Sequence, residues 1–72
     1  MEGDLQRAVG RNIRRYRQSR GLSQEDLADI LGVHRTYLGG VERGERNLTL
    51  QTVERLAGQI KKPPLDLLRD HG

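Results

Sequence analysis

The stretch from Ser23 to Arg43 carries the strongest local signals in the chain, and it predicts two short helices joined by a tight turn. Ser23 is a good N-cap, and Asp26, three residues later, can return a hydrogen bond to the backbone N–H of the cap, as in a capping box. Gly32 is suited to end this helix, because glycine readily adopts the left-handed conformation that closes a helix. The second helix is predicted from Arg35 to Arg43.

Apolar residues recur at helical spacing on both sides of the turn. Leu27 and Leu31 share one side of the first of these helices, and Leu38 and Val41 share one side of the second. Ala28 is small, which allows the second helix to cross the first closely. The positions that together match the helix-turn-helix pattern are Gln24, Ala28, Gly32, Leu38 and Val41.

The length and composition predict one small domain spanning residues 1–72. The chain has 72 residues, of which 33% are hydrophobic, and it contains no cysteine, phenylalanine or tryptophan. A core of this size gives marginal stability, which favours tight helix packing or oligomerisation. Without cysteine the chain can form no disulfide, no thiol nucleophile and no cysteine-based zinc site.

The hydropathy pattern predicts a cytoplasmic protein with no membrane partner. No apolar run approaches the roughly 20 residues that a membrane span needs, and the opening residues MEGDLQRAVG lack the apolar run of a signal peptide. The sequence also offers no second domain that could sense a ligand. We therefore expect no cofactor and no small-molecule ligand, and regulation by concentration through dimer formation.

Three further helices are predicted around the central pair, so the expected fold class is all-α, a compact five-helix bundle. They run from Leu5 to Arg20 with Asp4 as N-cap, from Leu50 to Ile60 after the N-cap Thr49, and over residues 64–70 after a Pro-Pro break. No alternating run or hairpin turn indicates a strand. The apolar positions predicted to face the core are Leu5, Ala8, Val9, Ile13 and Tyr16 of the first helix and Leu50, Val53, Leu56, Ala57 and Ile60 of the fourth.

Positive charge is concentrated near the start of the chain. The net charge is only +3, but the segment between Leu5 and Gly21 contains six arginines and no acid. Such a segment favours polyanions through counterion release, while a solvated, arginine-rich helix face explains it equally well. The six are Arg7, Arg11, Arg14, Arg15, Arg17 and Arg20.

The order of these segments resembles the Cro/repressor-type (XRE-like) helix-turn-helix family. The resemblance runs from about Val9 to Leu68 and includes GLSQEDLADILGV, HRTYLGGVERGERNLTL and the amphipathic fourth helix. RTY at 35–37 followed by ERGERN at 42–47 is most similar to the small controller proteins of restriction–modification systems. The resemblance implies a lambda-repressor-like bundle that binds double-stranded operator DNA, usually as a homodimer, and regulates transcription.

The first turn of the second motif helix is the predicted base-reading segment, because in this motif these residues meet base edges in the major groove. That nominates Arg35, Thr36 and Tyr37. Arginine can bond O6 and N7 of guanine together, and threonine can donate, accept or pack on a thymine methyl. A phosphate contact for Arg35, and packing of Tyr37 against the domain, remain open alternatives.

The predicted contacts to the DNA backbone lie at the edges of the motif. Gln24 is in the first turn of its helix, where free N–H groups attract an anion, and the family resemblance gives it the same role. Arg43, Arg46 and Asn47 lie at the end of the recognition helix or just beyond it. A solvated basic loop is the alternative for these three.

Two departures from the family pattern occur in the motif itself. His34 stands where Ser, Thr or Asp is the common cap, and Gly39-Gly40 stands where larger residues are usual. On a helical wheel the two glycines lie on the groove-facing side. They either let the helix sit deep in the groove or make its second half flexible. The resemblance further implies that Arg17 and Glu42 pair across helices in a structural role.

The C-terminal segment is the predicted dimer contact. We expect Leu65 and Leu68 to pack inward and Leu67 to point away from the domain, so that Leu67, with Ile60 nearby, forms the contact.

An enzyme is not expected, because the two histidines are isolated and no nucleophile–base set is present. No metal site is expected either. The rival to DNA binding is an antitoxin-like or adaptor module that uses the same fold to hold a protein partner.

Overall fold

The structure is a computed structural model that describes residues 3–69, and it confirms the all-α class with five helices and no strand in that range. The predicted starts and ends agree with the structure to within one residue for the first four helices. The fifth ends two residues before the prediction, whose last residue lies outside the described range. The helices are α1 (Asp4–Ser19), α2 (Gln24–Leu31), α3 (Arg35–Glu42), α4 (Leu50–Gln59) and α5 (Pro64–Leu68).

Local capping explains where α2 and α4 begin and where α2 ends. The N–H of Asp26 donates to Ser23 Oγ at 3.0 Å and the N–H of Ser23 donates to the Asp26 carboxylate at 3.2 Å, which completes the predicted capping box. Gly32 closes α2 with a φ of 71°. Thr49 Oγ1 accepts from the N–H of Thr52 at 3.0 Å. The N-cap predicted at Asp4 is wrong, since Asp4 is already the first residue of α1.

The core draws apolar side chains from every helix. Two predicted core positions are wrong: Leu5 is 61% exposed and Leu50 is 73% exposed, because each lies in the first turn of its helix, at the rim of the bundle. The buried core cluster is Val9, Ile13, Leu27, Ala28, Leu31, Leu38, Val41, Val53, Leu56, Ala57, Ile60 and Leu67.

The orientation predicted for α5 is wrong for Leu65 and Leu67, although Leu68 packs against the core as predicted. Leu67 is only 2% exposed and Ile60 only 7%, whereas Leu65 is 69% exposed. The buried amide of Asn12 accounts for this rotation: its Nδ2 donates to the carbonyl oxygens of Leu67 at 2.8 Å and Arg69 at 2.7 Å. With the end of α5 tied to α1 in this way, Leu67 fills the core and has no surface to offer a partner.

A glycine in α1 allows α3, the predicted recognition helix, to dock closely. A Cβ built on Gly10 would come 2.3 Å from the carbonyl oxygen of Val41 and 2.8 Å from that of Glu42. Both are backbone atoms at the end of α3, so neither can move without shifting that helix. The absence of a side chain at Gly10 therefore sets how near α1 and the C-terminal turn of α3 can approach.

Replacing Gly10 with alanine is expected to destabilise the fold by about 1–3 kcal/mol, the usual range for overpacking a tight contact. Alanine normally stabilises a helix interior relative to glycine by up to about 1 kcal/mol. Gly58 offers the matched control, because it lies in α4 and a Cβ there meets nothing within 4 Å. Urea unfolding should give a lower midpoint for Gly10→Ala and a higher one for Gly58→Ala. An equal rise in both would show that the α1–α3 contact tolerates a methyl group.

Candidate nucleic-acid interface

His34 caps the recognition helix with a ring nitrogen. Its backbone is extended, and Nδ1 accepts a hydrogen bond from the N–H of Thr36 at 3.1 Å. Nδ1 must therefore be unprotonated in this cap, with the ring hydrogen on Nε2. The imidazole thus caps the helix in place of the more common Ser, Thr or Asp. The side chains of Arg35 and Thr36, in the first turn of α3, are exposed.

Tyr37 is half-buried and packs against the core cluster. The guanidinium carbon of Arg46 stands 5.2 Å from the centre of its ring, within the range of a cation–π contact. The ring thus packs against the domain on one side and lies beneath an arginine on another. This arrangement favours the packing interpretation of Tyr37 over direct insertion of its ring between base edges.

A reversal of the chain at the end of α3 brings Arg46 back to the helix. The N–H of Glu45 donates to the carbonyl of Gly40 at 2.9 Å, and the N–H of Gly44 donates to that of Val41 at 3.0 Å. Gly44 has a φ of 74°. These are the two hydrogen bonds and the left-handed residue of a Schellman motif. The loop that follows is therefore folded against the last turns of the recognition helix.

Gly39 and Gly40 are buried under polar side chains, not bare on a groove-facing surface as the helical wheel predicted. A Cβ on Gly39 would lie 3.2 Å from Arg43 Nη1 and 3.8 Å from Gln24 Oε1. A Cβ on Gly40 would lie 3.0 Å from Arg46 Nε. The two glycines thus bring together three of the four side chains predicted to bind the DNA backbone. Asn47, the fourth, is exposed in the loop after α3.

Glu42 links the first three helices through a buried ionic network. Arg17 donates through Nε to Glu42 Oε2 at 2.8 Å and through Nη2 to Oε1 at 3.1 Å, so the predicted pair is confirmed. The side chains of Arg17 and Glu42 are 15% and 4% exposed. Gln24 Nε2 also donates to Glu42 Oε1, at 3.1 Å, a contact that the sequence analysis missed.

The Glu42 hydrogen bond raises the pKa of Arg17 above its ordinary value, and burial opposes this effect without reversing it. A raised pKa in the folded state means that the stabilisation is fully present below the ordinary pKa of arginine. It is lost only as pH rises through the higher folded value. Arg17 is therefore protonated throughout the neutral pH range, and its role is to stabilise the fold.

Several of the other arginine side chains contact an acidic or aromatic side chain. Arg43 Nε pairs with Glu45 Oε1 at 3.1 Å, although both side chains are about 60% exposed. In α1, Arg7 pairs with Asp4 and Arg20 stands 5.0 Å from the centre of the Tyr16 ring. The arginine-rich character of α1 is thus partly structural.

Neither a metal cluster nor a membrane-spanning helix is found among the described residues. Between residues 3 and 69, no three histidine, aspartate or glutamate side chains come together as a metal site would require. None of the helices described is both long and apolar enough to cross a bilayer.

Comparison with known proteins places this geometry in a family. The HTH_3 helix-turn-helix family model matches residues 13–67. Control protein C.SmaI of Serratia marcescens is 46% identical over 69 residues, covering 96% of this chain and 82% of that protein. The crystal structure of the restriction–modification controller protein C.AhdI from Aeromonas hydrophila matches with a TM-score of 0.74 and 42% identity, covering 86% of this chain and 94% of that one.

A third likeness covers nearly the whole chain. The crystal structure of a hypothetical transcription factor, NHTF, from Neisseria matches with a TM-score of 0.85 and 35% identity over 99% of this chain and 82% of that one. The chain therefore belongs to the HTH_3 helix-turn-helix family, and the prediction of a DNA-binding transcriptional regulator of this type is confirmed. Within the family, the predicted similarity to restriction–modification controller proteins is confirmed as well.

Glu42→Gln is expected to destabilise the fold by roughly 3–5 kcal/mol, because removing one partner of a buried pair leaves the other charge uncompensated. Glu45→Gln removes an acid from an exposed pair in the same part of the chain and should cost less than about 1 kcal/mol. Chemical denaturation of both variants gives the comparison. Equal, small losses would mean that the Arg17–Glu42 pair contributes no more than a surface contact.

Proposed function

We propose that the protein binds operator DNA as a homodimer and controls the genes of a restriction–modification system. The observation that carries the proposal is the placement of Gln24, Arg43 and Arg46 along one recognition helix whose first turn exposes Arg35 and Thr36. That arrangement offers hydrogen-bond donors for base edges at the N-terminal turn of α3 and donors for phosphates along the rest of the helix. A regulator of this kind works where the DNA is, so we place it in the cytoplasm.

Base reading is assigned to the first turn of α3. Arg35 and Thr36 are exposed there, immediately after the His34 cap. In the helix-turn-helix motif these positions face the major groove. The planar fork of Arg35 suits O6 and N7 of guanine. Tyr37, with its ring packed against the domain, contributes through its outer edge and by supporting Arg46.

Phosphate binding is assigned to the start of α2 and to the C-terminal end of α3 with the loop after it. Gln24 is the first residue of α2, where backbone N–H groups and the helix dipole favour an anion. One of its two amide hydrogens bonds to Glu42, and the other remains for a phosphate oxygen. Arg43, Arg46 and Asn47 lie at the C-terminal end of α3 or in the loop after it, and all three are exposed.

The dimer contact is assigned to the outer face of α5. One recognition helix reads one half-site, so specific binding needs two such helices about one turn of DNA apart. Because Leu67 and Ile60 belong to the core of the chain itself, the contact needs another apolar side chain. Leu65 is 69% exposed on the same short helix, and we propose that it packs against its counterpart in a second copy.

DNA binding is tested by titrating labelled duplex at several salt concentrations. Each subunit should neutralise three or four phosphates through Arg43, Arg46, the start of α2 and one arginine of α1. Because only the cationic contacts release counterions fully, the slope of log K against log salt should be roughly −4 to −7 for a dimer. A module that binds only a protein partner, such as an antitoxin or adaptor, has no reason to show such a slope. A slope near zero would therefore reject DNA binding in favour of that alternative.

Variants of Arg35 and Arg43 distinguish base reading from phosphate binding. Arg35→Ala should cost roughly 1–3 kcal/mol on the cognate duplex and much less on random duplex, so that the preference for one guanine relaxes. Arg43→Ala should weaken both about equally and reduce the salt slope by about one per subunit. If Arg35→Ala lowers both affinities by the same factor, Arg35 contacts phosphate and base reading must rest on Thr36 and Tyr37.

The dimer proposal predicts opposite outcomes for two leucines of α5. Leu65→Glu should give a folded monomer at micromolar concentration, whereas Leu67→Glu should unfold the chain because it places a charge in the core. Ile30→Glu is the control, since Ile30 is 46% exposed on α2, whose packing partners are α3 and α4. Analytical ultracentrifugation measures the oligomeric state of each variant, and circular dichroism measures whether it is folded. A Leu65→Glu variant that remains dimeric would place the interface elsewhere.

A further inference from the structure

Arg46 lies along the recognition helix instead of extending from its loop. A Cβ built on Gly40 would lie 3.0 Å from Nε and 3.2 Å from Cγ of Arg46. These distances are shorter than an ordinary van der Waals contact, so the stem of this arginine would have to move away if position 40 carried a side chain. The charged end stands over the Tyr37 ring at 5.2 Å. Tyr37 and Gly40 are three residues apart and are therefore neighbours on one face of the helix.

The backbone fixes the point from which this side chain starts. The hydrogen bond from Glu45 N–H to the Gly40 carbonyl, at 2.9 Å, ties the residue before Arg46 to the helix position that Arg46 covers. Gly44, in the left-handed conformation, makes the reversal. The same short segment thus delivers Arg46 to Gly40, and Gly40 leaves room for it.

We propose that Gly40 is a positioning residue for DNA binding, which leaves room for Arg46 to lie on α3 with its guanidinium over Tyr37. This inference rests on the proposed function. Glycine weakens a helix interior relative to alanine, so a gain elsewhere must offset its presence in the middle of a short helix. An arginine already held in place loses less rotamer freedom when it binds DNA. The resulting gain in binding free energy is what offsets the cost of the glycine to the helix.

A different explanation of Gly40 is that the helix backbone itself approaches the DNA closely. The two explanations separate in a double-mutant comparison. If the glycine acts through Arg46, a side chain at position 40 has no effect once Arg46 is alanine. If the backbone approaches the groove, the same side chain weakens binding in either background.

The test uses the full chain and a duplex that the wild-type protein selects from a random pool. The variants are Gly40→Ala, Gly40→Leu and Arg46→Ala, and the combinations of each Gly40 variant with Arg46→Ala. Gly58→Ala is the control, a helical glycine at which a Cβ meets nothing within 4 Å. Affinities are measured by fluorescence anisotropy, and proton NMR of the free protein monitors the contact between the Arg46 side chain and the Tyr37 ring.

Gly40→Ala should fold and weaken the Arg46–Tyr37 contact in NMR, and its affinity should fall by up to about fivefold, which corresponds to losing a whole exposed cation–π contact. Gly40→Leu should bind more weakly still, and neither substitution should matter in the Arg46→Ala background. Gly58→Ala should bind as the wild type does.

The inference is overturned if Gly40→Ala and Gly40→Leu both bind as tightly as the wild type, or if either costs as much without Arg46 as with it. A wild-type protein that selects no duplex overturns the proposed function and the inference together. If the wild-type protein binds a selected duplex and the Gly40 variants bind it equally tightly, the inference alone is overturned.

Discussion

The orientation of the recognition helix depends on one buried carboxylate. Glu42 is the last residue of α3, and it accepts two hydrogen bonds from Arg17 of α1 and one from Gln24 of α2. A carboxylate with 4% of its side chain exposed would be costly without such partners. With them, it fixes the C-terminal end of α3 against two other helices. Since Gly10 sets the distance of the same approach, charge and shape complementarity act at one point of the fold.

This network also connects the fold to one of the proposed phosphate contacts. Gln24 is the side chain assigned to a phosphate at the start of α2, and its amide is held by the carboxylate that pairs with Arg17. The side chain is therefore oriented before any DNA is present, which reduces the conformational entropy lost on binding. Arg17, although it is one of six arginines in the basic first segment, serves the fold and does not face the solvent as a free cation. Basic composition alone thus overstates the charge available to DNA.

Much of the fold was predictable because its signals are local. The Ser23–Asp26 capping box and the left-handed Gly32 each involve residues close in sequence, and both were found as expected. The rotation of α5 was not predictable, since five helical residues show too little periodicity to define a face. It depends on Asn12, whose amide meets the carbonyls of Leu67 and Arg69 more than fifty positions away.

The site shows the same division between local and distant causes. Exposure of Arg35 and Thr36 follows from their place just after the His34 cap. What covers Gly39 and Gly40 could not be read from a helical wheel, because a wheel contains only the helix and not the chain that returns to it. Gly44 was a readable signal for that return, since a glycine directly after the C-cap Arg43 is typical of the Schellman motif. The path of the Arg46 side chain still required the structure.

The two ends of the recognition helix therefore prepare their side chains in opposite ways. At the C-terminal end, Arg46 rests on Tyr37 and Arg43 pairs with Glu45, so the proposed phosphate contacts are partly ordered in the free protein. At the N-terminal end, the side chains of Arg35 and Thr36 are exposed, and the His34 cap bonds to the backbone N–H of Thr36. Phosphates occupy regular positions on any duplex, so ordered side chains can match them without regard to sequence. Base edges differ from site to site, and the side chains proposed to read them are the exposed ones of the first turn.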